Sequence, residues 1–196
     1  MNERVKLKRI REYAFQIFHD DVTGHDYYHM ERVARTAKQI AIEEKANLFI
    51  CEAAALLHDV GDAKLFEQPE KNVKAMNLFL KSIELTAEQI KFLNQIIKEV
   101  SFSRGVQVPA TIEGRIVQDA DRIDAIGAIG IARTFAYGGA NQQMIHHNTE
   151  KSTSIQHFYD KLLKLYDLLH TTKAKEMAIS RQRFMEQYLE QFYKEW

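Results

Sequence analysis

"AAALLHDVGDAKLF", Ala53 to Phe66, is the stretch whose reading decides the fold. Small and apolar residues run up to Leu57. His58 and Asp59 then stand side by side, shortly before Gly61. The apolar run reads as a helix from Leu48 to Val60, buried nearly all round and ended by Gly61. A carboxylate at the end of such a helix is costly to bury unless it is paired, hydrogen-bonded or bound to a metal. Its partner must come from elsewhere in the chain.

Working outward, helical periodicity dominates and strand signals are weak, with only two prolines, Pro69 and Pro109. The expected fold is all-α. A first helix covers Glu3 to His19, with Val5, Ile10, Ala14, Ile17 and Phe18 toward the core. The second runs from Tyr28 to Lys45 with Met30, Val33, Ala37, Ile40 and Ala41 on one face. Helices over Glu70–Ser82 and Ala87–Glu99 follow the central one, and Thr86 is placed to cap the latter. "SFSRGVQVP" reads as a loop. One long helix is expected over Thr111–Tyr137, stopped by Gly138 and Gly139, and then a polar loop containing His146 and His147. Ile155–Leu169 and Thr172–Glu195 close the bundle, and the aromatic stripe Phe184, Tyr188, Phe192 reads as core.

The 196 residues suit one domain, with no linker or repeat to divide them. Lys plus Arg and Asp plus Glu number 27 each, so the formal net charge is zero. That balance argues against wrapping nucleic acid, whose binding is driven by neutralising phosphates. A single cysteine, Cys51, excludes an intramolecular disulfide and fits a reducing compartment. The N-terminus has no apolar h-region, and no apolar run approaches the ~20 residues of a membrane span. The expected location is the cytoplasm. Monomer and homodimer are both compatible with the pattern.

Two further stretches set unusual polar residues on apolar helices. "GHDYYHMERV" brings His29, four residues before the core position Val33. "VQDADRIDAIGAIG" interrupts a buried helix with Asp119, Asp121 and Asp124. Three helices therefore each direct metal-competent groups inward. Two imidazoles and two carboxylates suit one divalent ion such as Mn, Fe, Co, Ni or Zn.

The pattern of His29, His58–Asp59 and Asp121, within "HDYYHMERV", "LLHDVGD" and "DADRIDAIGAIGIARTF", resembles the HD-domain superfamily of metal-dependent phosphohydrolases. The likeness covers most of the chain, including "VSFSRG", and points to the small bacterial YedJ/YpgQ-like branch. It implies a single-domain helical bundle with the metal at its centre, a core over about residues 25–125, and C-terminal helices over about 153–196 closing it. In the superfamily the last ligand usually lies in an apolar-Ala-Asp-Lys/Arg run, which Asp121 matches with Arg122 following. Asp119 is the alternative. With Arg115 and Arg122 at helical spacing, Asp119 is better placed for an ion pair. No histidine occurs between Val60 and Met144. The family comparison therefore implies one metal, Mn first, with Mg, Co, Ni, Fe or Zn open.

The resemblance also implies a nucleotide or other small phosphate as substrate. The expected activity is hydrolysis of (deoxy)nucleoside triphosphates to monophosphate and pyrophosphate. A nucleotidase on monophosphates and a non-catalytic nucleotide or metal sensor are the alternatives. Asp59 is expected at the reacting centre. Asp62 stands where several HD hydrolases carry an acidic catalytic residue and could orient the attacking water. His25 and Asp26 could hold the His29 ring, and Asp124 could lie behind the ligands. Lys64, Arg32, Arg115 and Arg122 are candidates for neutralising phosphate. His157 and His170 read as helix-surface residues.

Overall fold

In the computed structural model, residues 1–100 and 108–196 are described. The loop read over "SFSRGVQVP" lies mostly outside them. Among the described residues nine α-helices follow one another. They are α1 (Glu3–Phe18), α2 (Tyr27–Glu43), α3 (Leu48–Leu57), α4 (Pro69–Ser82), α5 (Ala87–Val100), α6 (Ile112–Asp124), α7 (Gly127–Ala140), α8 (Ser154–Asp160) and α9 (Thr172–Glu195). No strand occurs among these residues, only an isolated bridge between Met144 and Thr153. The described residues form an all-α bundle, as expected. Among the described residues no helix is long and apolar enough to cross a membrane.

α3 is the axis, packed by α1, α2, α5 and α6. Every residue from Phe49 to Leu57 is buried, so the helix has no polar face to turn to solvent. Leu56 and Leu57 are fully buried, and each contributes roughly 1.5–3 kcal/mol. The one charge within α3, Glu52, is held by Arg11 and Lys38, both at 3.0 Å. α3 ends at Leu57 rather than Val60. Successive turns from Val60 N–H to Leu57 O and from Asp62 N–H to Asp59 O carry His58 and Asp59 out of it. Gly61 belongs to that turn, where a Cβ would come 2.9 Å from Val73 Cγ2.

The expected long helix is broken. Ile126 is extended (φ −122°, ψ 164°), and Gly127, at φ +77°, opens α7. Arg181 of α9 satisfies the end of α6 by donating to Ile123 O at 2.6 Å. Gly138 and Gly139 do not stop α7, which runs on to Ala140. Gly138 instead admits Ser154, whose Oγ would lie 2.3 Å from an added Cβ. The expected helix over 155–169 is α8 followed by two 3₁₀ turns, Leu162–Lys164 and Tyr166–Leu168. Leu162 and Leu165 are buried three residues apart, the spacing a 3₁₀ turn places on one side.

Thr86 caps α5 as expected, in a reciprocal box with Gln89 (3.2 and 3.0 Å). Two assignments to the core are corrected. Val5 is 42% and Phe184 47% exposed. Met185 and Leu189 take the inward face of α9 in place of Phe184.

Candidate metal centre

Each inward group owes its place to a local device. The Asp26 side chain accepts from the backbone N–H of His29 (2.8 Å) and starts α2, setting His29 in its first turn. The end of α3 presents His58 and Asp59. α6 carries Asp121 and Asp124 one turn apart on one face. Asp119, two residues before Asp121, points about 200° away around the helix.

His29 Nε2 lies 3.8 Å from Asp59 Oδ2 and 3.5 Å from Asp121 Oδ1. His58 Nε2 lies 3.3 Å from Asp59 Oδ1 and 3.7 Å from Asp121 Oδ1. The two rings are 5.2 Å apart. His29 Nε2, His58 Nε2 and Asp59 Oδ2 are buried without a hydrogen-bond partner. Such atoms are rare in native proteins and ask for an explanation. A common ion at ~2.0–2.2 Å from each donor supplies one, because neighbouring ligand atoms then stand ~3.0–3.5 Å apart. The donor atoms of His29, His58 and Asp121 all lie within 4.8 Å of one another. The residues present fit a divalent cation.

The other ring nitrogens fix the tautomers. His58 Nδ1 donates to Ala55 O at 2.8 Å, and His29 Nδ1 to Asp124 Oδ2 at 2.8 Å. Both Nε2 atoms are left to face the cluster, as in metal sites whose imidazoles are oriented from behind. Burial alone would lower the His58 pKa, but Asp59 and Asp121 reverse it and push it up to about 9. The cluster thus attracts positive charge. Burial would raise Asp121, yet the His58 contact, His29 and Arg133 hold it well below the ordinary carboxylate range. Burial and Arg133 lower His29, outweighing Asp124.

Several candidates stand elsewhere than expected. Asp119 is turned to the far side of α6 and is not at the cluster. It accepts from His170 N (2.9 Å), Thr171 N (2.8 Å) and Thr171 Oγ1 (2.8 Å), holding the start of α9. Arg115 does not pair with it but donates to Pro109 O at 3.0 Å. Arg122 is buried, bonded to Leu168 O and 3.1 Å from His170 Nε2, so it is committed to the bundle rather than to phosphate. Arg32 is likewise committed, gripping Asp124 at 2.7 and 3.0 Å. Asp26 serves the backbone of His29, not its ring. His25 meets that ring edge-on at 5.8 Å, with its own Nδ1 3.2 Å from Thr23 Oγ1. His170 is not a surface residue of a helix. It precedes α9, with its ring 2.7 Å from Gln118 Oε1.

Asp62 and Lys64 do reach the site. Both line a cleft of about 390 Å³ whose floor is His58, Asp59 and Asp121. Three basic side chains among the other lining residues were not read as site residues from the sequence: Arg133 of α7, Lys161 just after α8, and His157 of α8, which was expected on a helix surface. Arg133 also donates to Asp124 at 3.0 Å. Its one signal was a lone arginine in the apolar "AIGIARTF" run. No local signal marks His157 or Lys161, which reach the cleft from a distant segment.

A bundle with this cluster at the junction of α2, α3 and α6 defines a class of protein. The HD domain family model matches residues 26–126, and the chain belongs to the HD-domain family. It is 39% identical over 198 residues to YpgQ of Bacillus subtilis (strain 168), covering 100% of this chain and 96% of that protein. The crystal structure of Bacillus subtilis YpgQ in complex with ADP superposes with a TM-score of 0.88 at 38% identity, over 100% of this chain and 97% of that one. An HD-superfamily hydrolase from Bacillus thuringiensis gives 0.81 at 43% identity, over 100% and 98%. The chain therefore falls in the YpgQ-like bacterial branch.

Proposed function

We propose that the protein is a metal-dependent phosphohydrolase that converts (deoxy)nucleoside triphosphates to monophosphate and pyrophosphate. The observation that carries this is the convergence of unpartnered, buried His29 Nε2, His58 Nε2 and Asp59 Oδ2 with Asp121, the last three residues forming the floor of a cleft. Membership of the HD family and the ADP complex of a 38% identical relative support it. His29, His58, Asp59 and Asp121 would hold one divalent cation, Mn first among those named above. That ion supplies Lewis acidity toward a phosphoryl oxygen and lowers the pKa of water.

The chain's own residues do the rest. Asp62 lines the cleft three residues beyond Asp59, and the backbone N–H of Lys64 holds its Oδ1 at 2.8 Å. It orients the attacking water and receives its proton. The water oxygen bonds to the α-phosphorus, the α–β bridging P–O bond breaks, and the bridging oxygen leaves on pyrophosphate. Lys64 and Arg133 neutralise phosphate charge as it shifts. Leu65, Ala125, Tyr137 and Leu162 give the cleft an apolar portion against which a nucleoside can lie.

The test is metal reconstitution. Chelator-stripped protein receives Mn, Mg, Co, Ni, Zn or Fe singly. It is then incubated with nucleoside tri- and monophosphates, and products are separated by chromatography. Metal-dependent pyrophosphate and monophosphate, absent from His29→Ala and Asp121→Ala, is the expected result. Free phosphate released from monophosphates would replace the reading with a nucleotidase. Tight metal binding without turnover would replace it with a sensor.

A further inference from the structure

α7 forms one wall of the cleft. Gly130, Arg133, Thr134 and Tyr137 line it, at the i, i+3, i+4, i+7 spacing of a single helix face. Arg133 marks the floor end of that wall, because it also donates to Asp124 behind the metal cluster. Tyr137 stands one helical turn, ~6 Å, further along. It is 44% exposed, so an aromatic face is open at that end. Gln143 lines the cleft as well, and its side chain is the one carboxamide among the described lining residues.

The backbone of Gln143 is fixed from both sides. The N–H groups of Gln142 and Gln143 bond back to Gly139 O (3.2 Å) and Gly138 O (2.8 Å), with Gln142 at φ +56°. This is the Schellman arrangement, which closes a helix through one left-handed residue. On the other side, Met144 O and Ile145 O accept from Ser154 N and Ile155 N, both at 2.9 Å. His146 then packs edge-on against Tyr193 and Trp196, with ring centroids 5.4 and 5.2 Å away. The Gln143 side chain folds back along the last turn of α7, where a Cβ on Gly138 would stand 3.7 Å from its Oε1. Among the described residues the carboxamide has no hydrogen-bond partner. A polar group on a rigid backbone, facing a cleft with its bonds to protein unmade, is preorganised to recognise a ligand.

We propose that Gln143 reads the base of the nucleotide and that the base it selects is adenine. A carboxamide presents an acceptor and a donor side by side. Adenine offers the matching pair on one edge, the N6 amino group and the N7 acceptor, so two parallel hydrogen bonds form. On the same edge guanine offers two acceptors, of which an amide satisfies one. Tyr137 supplies a stacking face, which takes any base and so adds affinity without choice. The phosphates then lie toward Arg133 and the metal cluster, and the base toward the far end of α7. The inference rests on the nucleotide reading of the cleft and names its base preference, but its test does not depend on turnover.

The experiment is calorimetric titration of the full chain, with manganese in excess over the ligand. The ligands are the α,β-methylene analogues of ATP, GTP and purine riboside triphosphate, which lacks the amino group, and inorganic tripolyphosphate. The methylene bridge replaces the bond that hydrolysis would cut, so binding is read without turnover. The ATP analogue is expected to bind about ten-fold or more tighter than the other two nucleotides. Gln143→Leu keeps the bulk and removes both hydrogen bonds. It weakens the ATP analogue about ten-fold, erases the preference and leaves tripolyphosphate within about two-fold. Gln143→Ala does the same, and the melting curve and manganese affinity show that each variant is folded. Tyr137→Leu weakens all three nucleotides alike and leaves their ratios unchanged. A wild-type protein indifferent to the base, a preference that survives in both Gln143 variants, or an equal loss on tripolyphosphate overturns the proposal. Gln143-dependent adenine binding without cleavage of ATP under any metal would sink the hydrolase and keep the base reading. Cleavage of ATP and GTP at equal rates, unmoved by Gln143→Leu, would do the reverse.

Discussion

Asp124 accepts from His29 Nδ1, from two nitrogens of Arg32 and from Arg133. Burial would raise its pKa, but the bonds from His29 and Arg32 hold it well below the ordinary carboxylate range. Its charge therefore persists behind the His29 ring. Asp124→Asn keeps the volume but sets an N–H₂ group against donors and releases the imidazole tautomer. A loss of about 10–100-fold in manganese affinity is expected, read by competition with a fluorescent chelator. Unchanged affinity would mean that the ring is held by packing alone. At this scale the sequence was legible where spacing within one helix carried the signal, as for Asp124 one turn after Asp121. It was illegible where partners came from separate helices, as for Arg133. The same limit misled the reading of Arg32, a candidate for neutralising phosphate that instead grips Asp124 of another helix.

At the scale of the element, α6 serves two masters on opposite faces. Asp121 and Asp124 look to the cluster, whereas Asp119 holds the start of α9 through three donors. Asp119→Ala leaves those donors buried and is expected to cost about 3 kcal/mol of stability. The change is read as a lower urea midpoint, while manganese affinity in the folded protein stays unchanged. A loss of metal binding at full stability would make Asp119 a ligand after all. The break after α6 gives a second expectation. Gly127 lies at φ +77° with Arg181 Cβ 2.9 Å from where its own Cβ would be. Gly127→Ala is expected to destabilise by about 1–3 kcal/mol, measured by denaturant unfolding. Apolar residues ran straight through this break, from Ile116 and Ile123 of α6 to Ile131 of α7, all of them buried in the structure. Gly127 and Gly130 were the only trace of it, and glycine alone does not say whether it ends a helix or admits a neighbour. Gly138 proves to be the second kind.

Over the whole molecule, burial of α3 can be followed through Cys51, the single thiol. It is fully buried, and burial, then Glu113 and Glu52, push its pKa up to about 12 from an ordinary 9.0. The unfolded chain therefore releases this proton at lower pH than the folded one. Stability should fall as pH rises from about 9 toward about 12, and Cys51→Ala should remove up to one proton from that slope. Equal slopes in the two proteins would show that the thiol is not sequestered. In the native state near pH 8, a disulfide reagent should react with Cys51 only as fast as the bundle opens. The order and approximate extent of the helices were legible because most carry a one-sided apolar pattern or a capping residue. The segment after α8 was not, since leucines three and four apart satisfy an α-helix and a 3₁₀ turn alike.

The hold of Asp119 on residues 170 and 171 bears on where this protein can be cut. The family match ends at residue 126, but the carboxylate at 119 finds its donors more than forty residues later, and Arg181 completes the end of α6. The boundary by which relatives are recognised is thus not a seam of the molecule. A fragment trimmed to the matched segment would carry every ligand-type residue yet expose a buried acid and an open helix end. Truncation libraries and domain-fusion designs should retain the C-terminal helix as part of the smallest working unit.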